Sequence, residues 1–300
     1  MPITPFQKTA AIVFFVCCGT TMPSLFAEDA RQSSAAAKQL ETVESAKLHP
    51  LMHVIELATK GLERTDREIK EYSCLLIKRE KVDGELTQRE YMRAKIRHRR
   101  LDDGELVVPF SVYLKFLKPS SVAGREVLYV ENQRNGDLLA RRGGPRLANI
   151  TVELDPTGHY AMQGNRHPIT EIGFRNLVHR LIENMRADLS SDDVEVQYYD
   201  DAKLADRPCE HIVVTHRRRT EAHDYQMARV FIDKELGVPV FFASYDWPSN
   251  EGGEPELKEE YIFTDIVLNP GFTDLDFDAG NPRYAFEPLA SQETLAKFEP

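Results

Sequence analysis

Most of the chain after residue 72 alternates apolar and polar positions with a period of two, while two stretches place apolar residues three or four apart. The first covers residues 50–70, where Leu51, Ile55, Ala58 and Leu62 share a face and Pro50 suits a helix's first turn. The second covers residues 170–189. There Ile172, Leu177, Leu181, Met185 and Leu189 form a stripe, widened by Phe174, Val178 and Ile182, that is broad enough to lie against a sheet.

Val82-Asp83-Gly84-Glu85 reads as a hairpin turn, after which Met92, Ala94 and Ile96 alternate with Arg93, Lys95 and Arg97. Further strands are expected over 110–117, 126–131, 137–142, 150–154, 194–199, 210–216, 225–233, 238–247 and 257–268. Asn135-Gly136 favours a tight primed turn, and Ala205-Asp206-Arg207-Pro208 and Glu235-Leu236-Gly237 read as turns. The pattern gives about eleven strands, mostly in hairpin order, with two helices, and an antiparallel sheet of that size curls or closes. Segments 126–130 and 238–242 are apolar on both faces, so both sides of the sheet must be partly dry.

The amino terminus carries Lys8 as its one charge, then an apolar run over 10–18 and a small uncharged stretch ending Ser24-Leu25-Phe26-Ala27. That is the order of a cleavable secretory signal. The run spans about 14 Å as a helix, half of a hydrocarbon core of roughly 30 Å, so it is too short for an anchor. Val16 and Cys17 occupy the places where acylation of Cys17 or Cys18 would need a small residue. The expected organisation is a signal over 1–27, a mobile leader over 28–47, one β-domain over 48–287 and a tail over 288–300. Export to the periplasm as a soluble protein follows, with at most peripheral membrane contact. Loss of Lys8 moves the net charge from −10 to −11, which repels a polyanion and disfavours nucleic-acid binding. Two of the four cysteines leave with the signal; Cys74 and Cys209 remain, either bridged in an oxidising compartment or as two buried thiols.

Three regions then carry a resemblance. They are Pro109-Phe110-Ser111-Val112-Tyr113-Leu114-Lys115-Phe116-Leu117-Lys118-Pro119 with Gly124-Arg125-Glu126-Val127-Leu128-Tyr129-Val130, Asp233-Lys234-Glu235-Leu236-Gly237-Val238-Pro239-Val240, and Tyr261-Ile262-Phe263-Thr264-Asp265-Ile266 with Phe277. Over residues 49–286 the chain resembles an uncharacterised family of exported bacterial proteins, domain-of-unknown-function family 1571. Its Asp-x-x-x-Gly-x-Pro turn and closing Tyr-x-Phe-x-Asp-Ile strand are also similar to the LolA/LolB-like fold of periplasmic lipoprotein carriers and receptors.

The resemblance implies a mainly β (α+β) domain, a half-open antiparallel barrel whose concave apolar face is covered by the two helices. It implies a non-enzymatic carrier for a lipid or an acylated protein, with no cofactor. Val112, Leu114, Phe116, Leu128, Val130, Phe231, Phe242 and Phe263 are the candidate lining residues, although large apolar residues on strands are mostly ordinary core. Two alternatives stand beside this reading: an envelope interaction module whose own helices fill the groove, and an enzyme acting on envelope lipids or glycans. The last would place two converging polar groups in one pocket.

Sharper chemistries find little support in the spacing. His49 and His53 are four apart, but Pro50-Leu51-Met52 supplies no Glu between them as a zincin requires. His211 and His216 are five apart on a strand and point to opposite faces. Asp274-Leu275-Asp276-Phe277-Asp278 opens like a calcium loop, yet Ala279 and Ala285 take the places of the turn glycine and the bidentate Glu, so a capped acidic turn is expected. No Gly-x-Ser-x-Gly elbow occurs, and no His lies beside Cys74. Arg141-Arg142-Gly143-Gly144-Pro145-Arg146 could cradle a phosphate but lacks the strand-to-helix setting of a phosphate loop. With Arg99-Arg100 and His216-Arg217-Arg218-Arg219 it offers basic clusters, expected mostly as strand ends paired with nearby acids.

Overall fold

The computed structural model describes residues 49–144, 150–220, 225–250 and 252–286, all in one compact unit that begins at His49. The expected signal, leader and tail lie outside these residues, as do Pro145 and Arg146.

Helix α1 (Leu51–Glu68) buries Leu51, Val54 and Ile55. Strands β1 (Glu71–Val82) and β2 (Glu85–Leu86) turn at Asp83-Gly84, whose φ values of 51° and 83° are the left-handed pair of a primed turn. After β3 (Glu90–Arg97) comes a separate ribbon of β4 (Arg100–Asp102) and β5 (Glu105–Val108). The sequence pattern does not predict this ribbon, because it is largely exposed and has no dry face to impose an alternation. The first meander then continues through β6 (Ser111–Lys118), β7 (Glu126–Val130), β8 (Leu138–Arg141) and β9 (Thr151–Leu154). Asn135-Gly136 does make a turn with φ of 56° and 94°, and the Asp137 N–H donates to the Arg134 carbonyl at 2.9 Å. It sits at the tip of a longer loop, since β7 has already ended at Val130.

A short helix α2 (His159–Met162) and helix α3 (Phe174–Ala187) lead to the second meander. Gly173, at φ 105°, breaks α3 from the turn at Ile169–Glu171, so the helix is shorter than its apolar stripe predicts. The second meander comprises β10 (Val194–Leu204), β11 (Arg207–His216), β12 (Met227–Asp233), β13 (Pro239–Asp246) and β14 (Glu256–Leu268). At the β12–β13 corner, Asp233 Oδ1 accepts the N–H groups of Glu235 and Leu236 at 2.9 and 2.8 Å, with Arg207 against the same carboxylate. The corner needs the acid, which is why the Asp-x-x-x-Gly-x-Pro pattern marks it.

β14 pairs with β1, giving one twelve-stranded antiparallel sheet in the order β10-β11-β12-β13-β14-β1-β3-β6-β7-β8-β9, with β2 on β1. β9 and β10 are its two edges, so the sheet is open. Six inter-strand steps separate β14 from β9, roughly 29 Å if flat at about 4.8 Å each. Yet Phe263 of β14 and Leu154 of β9 line a single cavity, so the sheet is curled.

Its inner face carries Leu76, Met92, Ile96 and Val112, packed with Phe174 and Leu177 of α3. α1 and α3 share a second cluster with Ile212 and Val214 of β11. The outer face of β6–β8 is dry as well: Tyr113, Leu128, Val130 and Leu139 pack under Phe277, Phe272 and Tyr284 from the segment after β14. That second cover explains the two-sided apolar strand at 126–130. Cys74 and Cys209 are buried free thiols. They lie on β1 and β11, four inter-strand steps apart in the sheet order. No described helix is long and apolar enough to cross a membrane.

Candidate functional site

A partly enclosed cavity of about 860 Å³ lies between the inner face of the sheet and the segment 156–180. The sheet supplies Leu76, Leu114, Phe116, Val127 and Phe263 to its wall, each at an inward position of its strand. Ile169, Ile172 and Leu177 roof it without filling it. Behind the lining at Gly173, Tyr72 stacks on Phe174, ring centroids 4.1 Å apart, and its hydroxyl accepts the Phe174 N–H at 3.0 Å. A Cβ on Gly173 would stand 2.7 Å from that hydroxyl, so only glycine lets the roof start here.

Along β1 the wall turns polar. The inward positions of β1 run Tyr72, Cys74, Leu76, then Lys78 and Glu80. Lys78 Nζ lies 3.3 Å from Glu80 and 3.4 Å from Glu90, and it donates to Asn165 Oδ1. Glu80 accepts the Arg166 N–H at 3.0 Å and the Tyr261 hydroxyl. That hydroxyl is also 3.1 Å from Glu259, which accepts the Ser244 hydroxyl at 3.0 Å and lies 2.8 Å from His167 Nε2. His167 Nδ1 faces Glu171 at 3.4 Å, and Arg180 meets Glu171 at the same distance. Residues 165–171 are thus strapped to β1 and β14 at the polar end.

Burial pushes the Glu259 carboxyl up, but the hydrogen bond and charge of His167, the charge of Arg180 and the Ser244 hydroxyl bring it down to about 2. Burial, then the charges of Glu259 and Glu80, drive the Tyr261 phenol well above its ordinary range. The polar groups do converge, as a catalytic site would require. Both ring nitrogens of His167 face carboxylates, however, and among the described residues no Ser, Thr or Cys lines the cavity. The cluster is built to hold itself together.

Of the eight apolar positions singled out from sequence, Leu114, Phe116 and Phe263 line the cavity. Val112 and Phe242 lie in the core around it. Leu128 and Val130 face the opposite side, under Phe277, because Val127 and Tyr129 take the inward positions of β7. Phe231 stacks on His211 and meets Phe241 edge-on. The charged end of the cavity has a sequence signal that apolar periodicity passes over: the dry face of β1 stops at Leu76 and continues with Lys78 and Glu80.

The remaining candidates are engaged elsewhere. His49 Nε2 bonds the Ser191 carbonyl at 2.6 Å, and His53 packs on Tyr198. His216 is buried 3.3 Å from Asp188, while His211 stacks on Tyr199. Residues Asp274–Phe277 form a 3₁₀ turn capped by Thr273 and Asp276, and Lys95 and Arg97 bind Asp276 and Asp274 at 2.7 Å. Arg99, Arg217 and Arg218 pair with Glu131, Glu195 and Asp192. Among the described residues no group of three or more His, Cys, Asp or Glu side chains could hold a metal.

Comparison with solved structures finds remote likenesses. The chain is 17% identical to MucB over 77% of its own length and 65% of that chain, with a TM-score of 0.44. A DUF1329 family protein from Desulfovibrio piger is 12% identical, covering 77% of this chain and 98% of that one, with a TM-score of 0.37. A LolA superfamily protein from Nitrosomonas europaea is 12% identical, covering 74% and 97%, with a TM-score of 0.28. At such scores these likenesses say nothing about ligand or partner. No curated protein matches the chain at a significant level. The model of one protein family matches residues 69–286, and the chain belongs to that family, protein of unknown function DUF1571.

Proposed function

We propose that the domain is a binding or carrier protein for an acyl-bearing amphiphile, a lipid or an acylated protein, and that it does not transform its cargo. The observation that carries this reading is the cavity, about 860 Å³ of largely apolar space, roofed but unfilled, with a cluster of charged groups around Lys78 and Glu80. An acyl chain leaving water for such walls gains about 0.8 kcal/mol per buried methylene. Ten methylenes supply about 8 kcal/mol, the scale of micromolar affinity before ordering is charged against it. No activated nucleophile is needed for that role, and the His167–Glu259 cluster serves to hold the roof. A secretory signal over 1–27 would place this carrier in the periplasm, where apolar cargo must cross water.

The test is direct. Protein purified without detergent is extracted with solvent and its ligands identified by mass spectrometry, beside Ala140→Phe, which projects a ring into the cavity. Acyl species near one per chain in the parent and depleted in the variant are expected. Empty protein that also fails to take up added acyl compounds would overturn the reading.

A further inference from the structure

The carboxylates at the polar end of the cavity are matched by cations. Lys78 serves Glu80 and Glu90, His167 serves Glu259, and His167 and Arg180 serve Glu171. Two guanidiniums on the same wall make no ion pair of their own among the described residues, although Glu90 acts on Arg125 at longer range. Arg125 and Arg142 both line the cavity, and neither has an ion pair or a side-chain hydrogen bond among the described residues. Arg125 is half-buried with its guanidinium 5.2 Å from the centroid of the Phe116 ring, while Arg142 is exposed at the mouth. Glu126 pairs with Arg141 across β7 and β8, so Arg125 and Arg142 are the next positions on that ladder.

The backbone keeps these two side by side. A Cβ on Gly143 would fall 2.1 Å from the Arg125 nitrogen, and one on Gly144 would fall 2.4 Å from the Ser121 carbonyl oxygen. The Gly144 N–H donates to the Ala123 carbonyl at 2.8 Å. Arg-Arg-Gly-Gly is therefore a device for laying the end of β8 against the loop before β7, and its product is a pair of adjacent cations at the rim of an apolar cavity. Such a pair is self-repelling until an anion lies against both. Burial lowers the Arg125 pKa most, Glu90 raises it and Arg142 lowers it, so a bound anion would offset the repulsion from Arg142.

Resting on the carrier reading, the geometry points to an anionic head group, carboxylate or phosphate, as the polar end of the cargo, held between Arg125 and Arg142 with its acyl tail along Phe116 and Val127. Neutral and cationic amphiphiles of equal length gain the tail contacts and miss the head.

Titration calorimetry with hexadecanoate, hexadecanol and hexadecyltrimethylammonium tests this on the delipidated full chain. Hexadecanoate should bind at least about tenfold more tightly than the other two, the scale of one charge-assisted hydrogen bond. Arg125→Gln and Arg142→Gln should each lower the hexadecanoate-to-hexadecanol affinity ratio about tenfold. Arg142 is exposed, so its variant keeps the test available where Arg125→Gln fails to fold. Equal binding of the three probes, or a ratio unmoved by the substitutions, overturns the anionic head and leaves the carrier reading standing. Binding of none overturns both. Inorganic phosphate competing as well as hexadecanoate would assign the arginines to a free anion and overturn the lipid head group.

Discussion

His167 Nε2 stands 2.8 Å from Oε2 of Glu259, joining the roof of the cavity to β14 across 92 residues of sequence. Glu259 is buried, so removing the imidazole leaves a carboxylate that must rely on Ser244 and Tyr261. His167→Ala is expected to lower unfolding stability by about 3 kcal/mol, read from the urea midpoint.

The same carboxylate sets an acid limit. Its folded pKa of about 2 lies below the ordinary 4.5, so it contributes stability that is present above 4.5 and lost as pH falls towards 2. Thermal melts should decline through that window in the parent. Glu259→Gln, which has nothing to protonate, should start less stable at neutral pH and decline less steeply.

Two glycines should respond with opposite signs. Gly143→Ala forces a methyl into the Arg125 backbone and is expected to cost about 1–3 kcal/mol. Gly61, inside α1, has open space where its Cβ would lie. Gly61→Ala should raise stability by about 0.5–1 kcal/mol. Differential scanning calorimetry of both variants checks the contrast.

Phe277 is 3% exposed and lies over the outer face of β6–β8, with the Arg97 guanidinium 4.7 Å from its ring centroid. Phe277→Ala is expected to cost about 3–5 kcal/mol in chemical unfolding. A change within 0.5 kcal/mol, the usual range at an exposed site, would mean that this cover is not packed.

Burial pushes the Cys74 thiol up to about 12 and raises that of Cys209 as well. Neither should react with iodoacetamide at neutral pH in the folded protein. Both should be alkylated in urea without prior reduction, each giving a modified peptide by mass spectrometry. Absence of adducts before reduction would reveal a bridge.

The sequence made the elements legible where one face alone was dry. Met92, Ala94 and Ile96 against Arg93, Lys95 and Arg97 describe β3 without ambiguity. Leu128 and Val130 show where that reasoning runs out. On a strand dry on both sides, alternation cannot say which residues face the cavity, and the answer depends on the segment around Phe277, far along the chain. The rim was harder still. Lys78, Glu80, His167, Glu259 and Tyr261 come from three separate stretches, and pairing between distant strands brings them together. Arg142-Gly143-Gly144 was visible as a motif, but its meaning required Arg125 beside it.

The seam between β1 and β14 places the first strand of the sheet beside the last, and Lys78, opposite Tyr261 on that seam, stands at the polar end of the cavity. A chain that pairs its ends in mid-sheet must close a very long loop before the central ladder gives anything back, which puts it among slow folders of high contact order. Until β14 arrives, β1 is a bare edge with unpaired N–H and C=O groups running along half of an apolar wall. The surface that serves the folded protein as a berth for cargo is therefore, in the unfinished chain, the strip most open to capture by another strand.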